Sequence, residues 1–332
     1  MWRSSKAKLA VAATFLLGLG VAIALIVWSG ADAVLTTLAA GGWGLVGIVP
    51  YYLIPLAAAA LSWRLLFPPD AVPHFRVLLQ ATWIGLAINW LLPVAQLGGE
   101  VVKARLVMGR HSRTAPAVAS VVVDQTLQIA SQVVYALAGV VLLLVLVAGQ
   151  GAFSMAALGF ALLLAIGLYA FYRVQRLGMF GVLARAVQRF TRSDQAGRAA
   201  ERADDLDRRV TEVYGRRPRL GAALAWRLAF RVATVGEIWL ALWLMGHPVS
   251  LAEAMILDSL GQAVRSAAFA IPAGIGAQEG AFVAISVALG LPPQAGIAVA
   301  LARRFRELAV GVPALVAWQV TEARALRGPE PR

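Results

Sequence analysis

No cysteine occurs anywhere in the 332-residue chain. Disulfide staples, thiolate zinc sites and cysteine nucleophiles are thereby excluded, while the cellular compartment stays open. Histidine is nearly as scarce, and His74, His111 and His247 are scattered rather than grouped as metal ligands. Charge is short as well: 14% of the residues are charged against 60% hydrophobic, with a mean hydropathy of +0.74, far from the balance of a soluble domain. Acids are the rarer sign, 17 against 30 Lys and Arg, for a formal net charge of +13. Those basic residues flank apolar stretches instead of forming a polar domain of their own. Nucleic acid is therefore excluded as a partner, and the basic residues are expected to hug one face of a membrane. No H-E-x-x-H or G-x-S-x-G motif is present, so no enzymatic activity, cofactor or metal is expected.

What the chain does have is apolar length. The run 9–28 follows Arg3, Lys6 and Lys8 and matches the hydrocarbon thickness, which reads as an uncleaved anchor with its N-terminus inside. Further apolar segments cover 44–63, 77–92, 117–147, 152–172, 220–245, 255–291 and 294–320. The loops 29–42, 148–151, 246–254 and 290–296 lack Lys and Arg, whereas 64–76, 103–113, 173–219 and the C-terminal tail contain them. Loops without basic residues are assigned outside and the others inside. The segment 77–107 then has both ends on the cytoplasmic side and must dip in and return; 255–291 does the same from the outer side. The expected fold is all-α: a polytopic integral membrane protein of about six full spans plus two re-entrant helical hairpins in inverted repeat, with both termini cytoplasmic. The single transmembrane domain 1–332 divides into a first half, 1–172, a basic connector, 173–219, and a second half, 220–332.

The connector carries twelve Arg against six acids. Leu206, Val210, Val213 and Tyr214 recur at helical spacing, and Asp204 with Arg208, Asp205 with Arg209 and Glu212 with Arg216 stand four apart. Two readings stay open, an amphipathic helix lying on anionic lipid and a solvated helical connector. Trp28, Trp43, Trp63, Trp226, Trp243 and Trp318 fall near expected span ends, as an aromatic belt would.

Two proline breaks dominate the rest. PVAQLGGE runs from Pro93 to Glu100 and PAGIGAQE from Pro272 to Glu279, each inside an apolar hairpin. Proline stops a helix and frees carbonyls, and glycine lets the chain reverse in a narrow space. Glu100 and Glu279 then open the next helix, where their charge suits the dipole. Around these turns lie Asn89, Lys103 and Arg105 in the first hairpin, and Asp258, Gln262, Arg265, Gly276 and Gln278 in the second. For Glu100 the bland alternative is a helix cap paired with Lys103 or Arg105. Arg303, Arg304, Arg306 and Glu307 follow about ten residues into the last helix, near mid-bilayer at ~1.5 Å per residue. A central Arg costs roughly 3 kcal/mol even on a lenient scale. Glu307 is expected to neutralise Arg303 one turn back, leaving the surplus to Glu100, Glu279, Asp258 or an anionic ligand. Asp124, Gln128 and Gln132 share one face, as do Arg227 and Arg231; Arg227 is read as snorkelling to the cytoplasmic surface, and Asp124, near its span start, is discounted on the same ground.

The Asn-x3-Pro-x6-Glu pattern at 89–100, with DSLGQAVRSAAFAIPAGIGAQEGAF and LARRFRELAVGVPALVAWQ, resembles the flippase-like membrane region of lysylphosphatidylglycerol synthases and their stand-alone relatives. Within that family the two stretches are most similar to the hopanoid-biosynthesis-associated (HpnL-like) branch. The resemblance implies a bacterial inner-membrane location, a polycyclic or anionic lipid as partner, and functional roles for Asn89, Pro93, Glu100, Arg265, Pro272, Gly276, Glu279, Arg303, Arg306 and Glu307. The soluble aminoacyl-transferase domain of full-length synthases is not expected here, since the sequence closes at Arg332. Three functions are weighed: a lipid flippase or transporter; a scaffold recruiting lipid-biosynthesis enzymes through the basic connector; and an intramembrane transferase using Glu100 or Glu279 as base.

Overall fold

The computed structural model describes residues 31–92, 98–108, 114–146, 194–268 and 276–326. The expected anchor 9–28, the expected span 152–172 and both proline turns, with Pro93 and Pro272, lie outside the described residues. Most of those described are helical, with α1 Ala31–Gly41, a 3-10 turn Gly42–Gly47, α2 Ile48–Tyr51, α3 Leu53–Arg64, α4 Phe75–Leu91, α5 Gly98–Met108, α6 Thr114–Leu146, α7 Asp194–Gly215, α8 Arg217–Leu244, α9 Leu251–Ala267, α10 Ala277–Ala288 and α11 Pro293–Leu326. Leu35–Arg64 and Pro116–Leu146 are long and apolar enough to cross a membrane. Although α8 and α11 are 28 and 34 residues long, each carries charges midway along its length.

Local chemistry fixes the ends of these helices. Ser250 and Glu253 form a reciprocal cap at α9, the Ser250 backbone N–H donating to Glu253 Oε2 at 2.7 Å and the Glu253 N–H to Ser250 Oγ at 3.2 Å. Gly276, at φ +84°, turns the chain into α10 and donates its N–H to Glu279 Oε2 at 2.7 Å. A side chain there would be strained, so the glycine is a backbone requirement.

Helices α4 and α5 pack together, as do α9 and α10, so each proline break joins two helices that lie side by side. The long helix after each hairpin crosses to the other one: α6 packs on α9, and α11 on α4. Helices α3 and α8 pack on each other. Two apolar clusters hold the assembly. One gathers Trp63, Phe67, Leu78, Val107, Val123, Val210 and Ala314; the other gathers Ile48, Ile238, Leu242, Leu257, Phe282 and Ala298. Almost the whole of α4, from Leu78 to Ile88, lies in the first cluster, while α9 contributes Ala254 and Leu257 to the second. Between the clusters, α8 and α11 place their charged residues.

Helix α7 differs from both expectations for the connector. Its Val210, Val213 and Tyr214 are buried in the first cluster, and the helix packs along α6. Protein, rather than lipid or solvent, covers its apolar face. The Asp205–Arg209 pair is present, with Arg209 Nε donating to Asp205 Oδ2 at 3.0 Å; that bond holds the Asp205 carboxyl below its ordinary range. Glu212 meets Arg208 one turn back. Trp63 also departs from the belt reading: it is fully buried and donates to Ser120 Oγ at 3.1 Å, whereas Trp43 and Trp243 are exposed.

Candidate functional site

An isolated charge between apolar layers is costly, so each must find a counter-charge, a donor or water. Two linked groups result. In the first, Lys103 of α5 donates to Glu100 at 2.8 Å and to Asp124 of α6 at 2.7 Å. Arg227 of α8 reaches the other oxygen of Asp124, Nε to Oδ1 at 3.2 Å. Arg227 is 3% exposed and Asp124 fully buried. The snorkelling reading of Arg227 and the discount on Asp124 are thus corrected: a carboxylate one helix away holds the guanidinium inside. Glu100 pairs with Lys103, the simpler of its two sequence readings.

The second group is centred on α11. Arg303 binds Asp258 of α9 and lies 3.8 Å from Glu237 of α8. Asp258 also accepts from Tyr135 Oη at 2.8 Å and Thr234 Oγ1 at 2.6 Å. Arg306 Nε donates to Glu237 at 3.0 Å, and its guanidinium packs over Tyr52 and Trp90, 4.0 and 4.7 Å from the ring centroids. Glu307 takes Arg265 and Arg304, the latter at 2.9 Å, while Arg304 also reaches Glu279 at 3.0 Å. The expected Arg303–Glu307 pairing is not what holds Arg303: successive turns of α11 face different neighbours, and the acids of α8 and α9 lie closer to it.

Six elements converge on a polar cavity of about 90 Å³. Tyr52 lies at the start of α3; α4 supplies Asn89 and Trp90; α6 supplies Gln128 and Gln132. Arg227, Arg231 and Thr234 come from α8, Gln262 and Arg265 from α9, and Arg303, Arg306 and Glu307 from α11. The contributions of α6, α8 and α9 follow the three- or four-residue spacing of one helix face, as do Arg303 and Arg306 of α11. Five guanidinium groups and one carboxylate thus line a space fed by both hairpins.

Of the residues singled out by sequence, Asn89, Arg265, Arg303, Arg306 and Glu307 line this cavity, as do Gln128, Gln132, Arg227, Arg231 and Gln262. Asp258, Glu279 and Arg304 stand behind it as ion-pair partners, Gly276 caps α10 through Glu279, and Glu100 belongs to the Lys103 group. Asn89 also binds across its hairpin, its Oδ1 accepting the Gly99 N–H at 2.9 Å. Sequence reasoning missed Glu237, Tyr52, Trp90, Tyr135 and Thr234. For Glu237 the signal was present: it is the one acid in the 28 residues of α8, and a lone intramembrane carboxylate asks for a cation. Among the described residues no three His, Asp or Glu are placed to hold a metal ion.

The outward faces complete the pattern. On α11, Phe305, Leu308, Val312, Val316 and Val320 are exposed while Arg303, Arg306 and Glu307 are buried. This arrangement, apolar outside and ionic inside, reverses that of a water-soluble helix. No curated protein and no solved structure matches the chain. The model of the lysylphosphatidylglycerol synthase TM region matches residues 15–314, and the chain is accordingly a membrane protein that belongs to that family.

Proposed function

We propose that this chain is a bacterial inner-membrane lipid flippase or transporter, of the hopanoid-associated kind, that takes a lipid headgroup into the cavity while the tail stays in the bilayer. Family membership already makes it a membrane protein linked to lipid handling. The observation that carries the finer reading is the convergence of five arginines, one from the second hairpin and four from α8 and α11, on one polar space that the first hairpin lines with Asn89 and Trp90. Charged residues kept in a membrane interior typically mark a substrate path. Broken helices meeting there are the build of a transporter whose two repeats rock about a central site. In this reading about six spans and two inverted re-entrant hairpins surround the site, with both termini cytoplasmic. Catalysis has no part in it.

Reconstitution tests the proposal. Purified protein in liposomes should move a polycyclic or anionic lipid between leaflets, and Arg306→Ala or Glu279→Gln should abolish that movement while leaving expression intact. Normal insertion with no lipid moved would overturn it.

A scaffold for lipid-biosynthesis enzymes is the second reading, and the exposed face of α7 favours it. Arg208 and Glu212 stand clear of the protein there. Because Val210 and Val213 are in the core, deleting this helix would uncover apolar surface; reversing Arg208→Glu is the cleaner probe. Loss of the cellular phenotype with lipid movement retained would favour the scaffold.

A further inference from the structure

The ion pairs among α8, α9 and α11 leave a matched set of groups unused. Arg303 Nε and Nη1, Arg231 Nε and Glu237 Oε2 are all buried without a hydrogen-bond partner. Buried polar groups are ordinarily satisfied, so each of these asks for a reason. Glu237 receives Arg306 on Oε1 at 3.0 Å, and Arg303 Nε stands 3.8 Å from that same oxygen. A free carboxylate oxygen and a free guanidinium edge thus lie a short swing apart.

Arg231 of α8 is the other half of the set. Among the buried cations of the described residues it alone has no carboxylate within ion-pair distance. The acid whose charge acts on it is Asp258 of α9. Thr234 stands between the two, its Oγ1 lying 2.8 Å from the Arg231 carbonyl oxygen and 2.6 Å from Asp258 Oδ2. One hydroxyl proton cannot serve both oxygens at once. Asp258 is held on Oδ1 by Arg303 of α11 and on Oδ2 by Tyr135 at 2.8 Å.

Moving one guanidinium satisfies the whole set. If Arg303 turns from Asp258 to Glu237, its free edge meets the free Oε2, and Asp258 Oδ1 is left for Arg231. Each acid keeps a cation in both arrangements, so the exchange breaks no buried pair without making another. Arg265 and Glu307 still join α9 to α11 and serve as a pivot, while the second tie of α9 passes to α8. We infer that Arg231 is a positioning residue, the alternative partner of Asp258, and that handing Asp258 from Arg303 to Arg231 is the step that lets the second hairpin rock. This rests on the transport reading above and gives it a moving part. A network with two discrete pairings is bistable, which is what a switch between two accessible states requires.

Two measurements separate this step from transport itself. The first is a double-mutant cycle in thermal unfolding of the detergent-purified protein. Arg231→Gln removes a cation that no acid holds in this arrangement, so the midpoint should stay at the wild-type value or rise. Arg303→Gln should lower it, with Arg231 taking over Asp258 and limiting the loss; the double variant should fall below the sum of the two by about 2–4 °C or more. Additive changes, or a lowered midpoint in Arg231→Gln alone, overturn the inference. The second is thiol modification of Gln132→Cys, at the cavity wall, in right-side-out and inverted vesicles. With Arg231 in place the cysteine should react from both sides. Arg231→Gln should confine the reaction to one side, and Arg231→Lys, which keeps the charge, should restore the other. Reaction from both sides with Arg231→Gln, or from one side only with Arg231→Lys, overturns the hand-over and leaves transport standing. Midpoints coupled as expected, with reaction from one side in every background and no lipid moved in liposomes, uphold the hand-over and remove transport.

Discussion

Asp258 shows how much one buried side chain carries here: it is fully buried and meets Arg303, Tyr135 and Thr234 at once. Removing one partner of a buried ion pair costs about 3–5 kcal/mol, whereas replacing both with apolar groups of similar size is often close to neutral. Asp258→Asn should therefore lower the unfolding midpoint strongly, and the double variant Asp258→Leu with Arg303→Met should recover much of the loss; additive losses in a double-mutant cycle would contradict the pairing. Sequence reading found Asp258, Arg265, Arg303, Arg304, Arg306 and Glu307 because charges inside apolar runs stand out. Their partners were not legible. Which acid meets which arginine depends on the rotation of α8, α9 and α11 about one another, and only packing sets that. So Arg303 is held from α8 and α9, and Arg227, read as reaching for water, points at Asp124.

At the scale of elements, the hairpins depend on how closely their helices approach. A Cβ on Gly99 would lie 2.1 Å from the Gly85 carbonyl oxygen and 2.8 Å from the Asn89 side chain. Gly99→Ala should thus force α4 and α5 apart, at about 1–3 kcal/mol. Gly221→Ala in α8, where a Cβ meets nothing within 4 Å, should instead stabilise by about 0.5–1 kcal/mol. Unfolding midpoints of the two variants that moved in the same direction would count against this packing. The breaks themselves were readable, since proline, glycine and a following glutamate leave a local signature. The docking of α7 was not. Its apolar stripe at Leu206, Val210 and Val213 is the same whether it faces lipid or a neighbouring helix, and the surface it covers on α6 lies far away in sequence.

Over the whole molecule, the all-α class and the membrane setting were legible from composition, because apolar residues in such excess cannot all be buried in one chain and must face lipid. Span count is a finer matter: two stretches, Leu35–Arg64 and Pro116–Leu146, qualify by length and apolarity, while the buried charges of α8 and α11 interrupt theirs. Loop charge supplies the expected orientation. Single cysteines at Gly42 and Gly197 should label from outside and inside respectively, and the reverse result would invert the topology. The central claim, that the arginine-lined cavity opens in turn to each side of the membrane, is tested most directly at Gln132, which lines it. With no native cysteine to interfere, Gln132→Cys would be treated with a membrane-impermeant thiol reagent in right-side-out and in inverted vesicles. The expected result is modification from both sides, slowed in both cases by phosphatidylglycerol; modification from one side only, or a rate indifferent to that lipid, would contradict it.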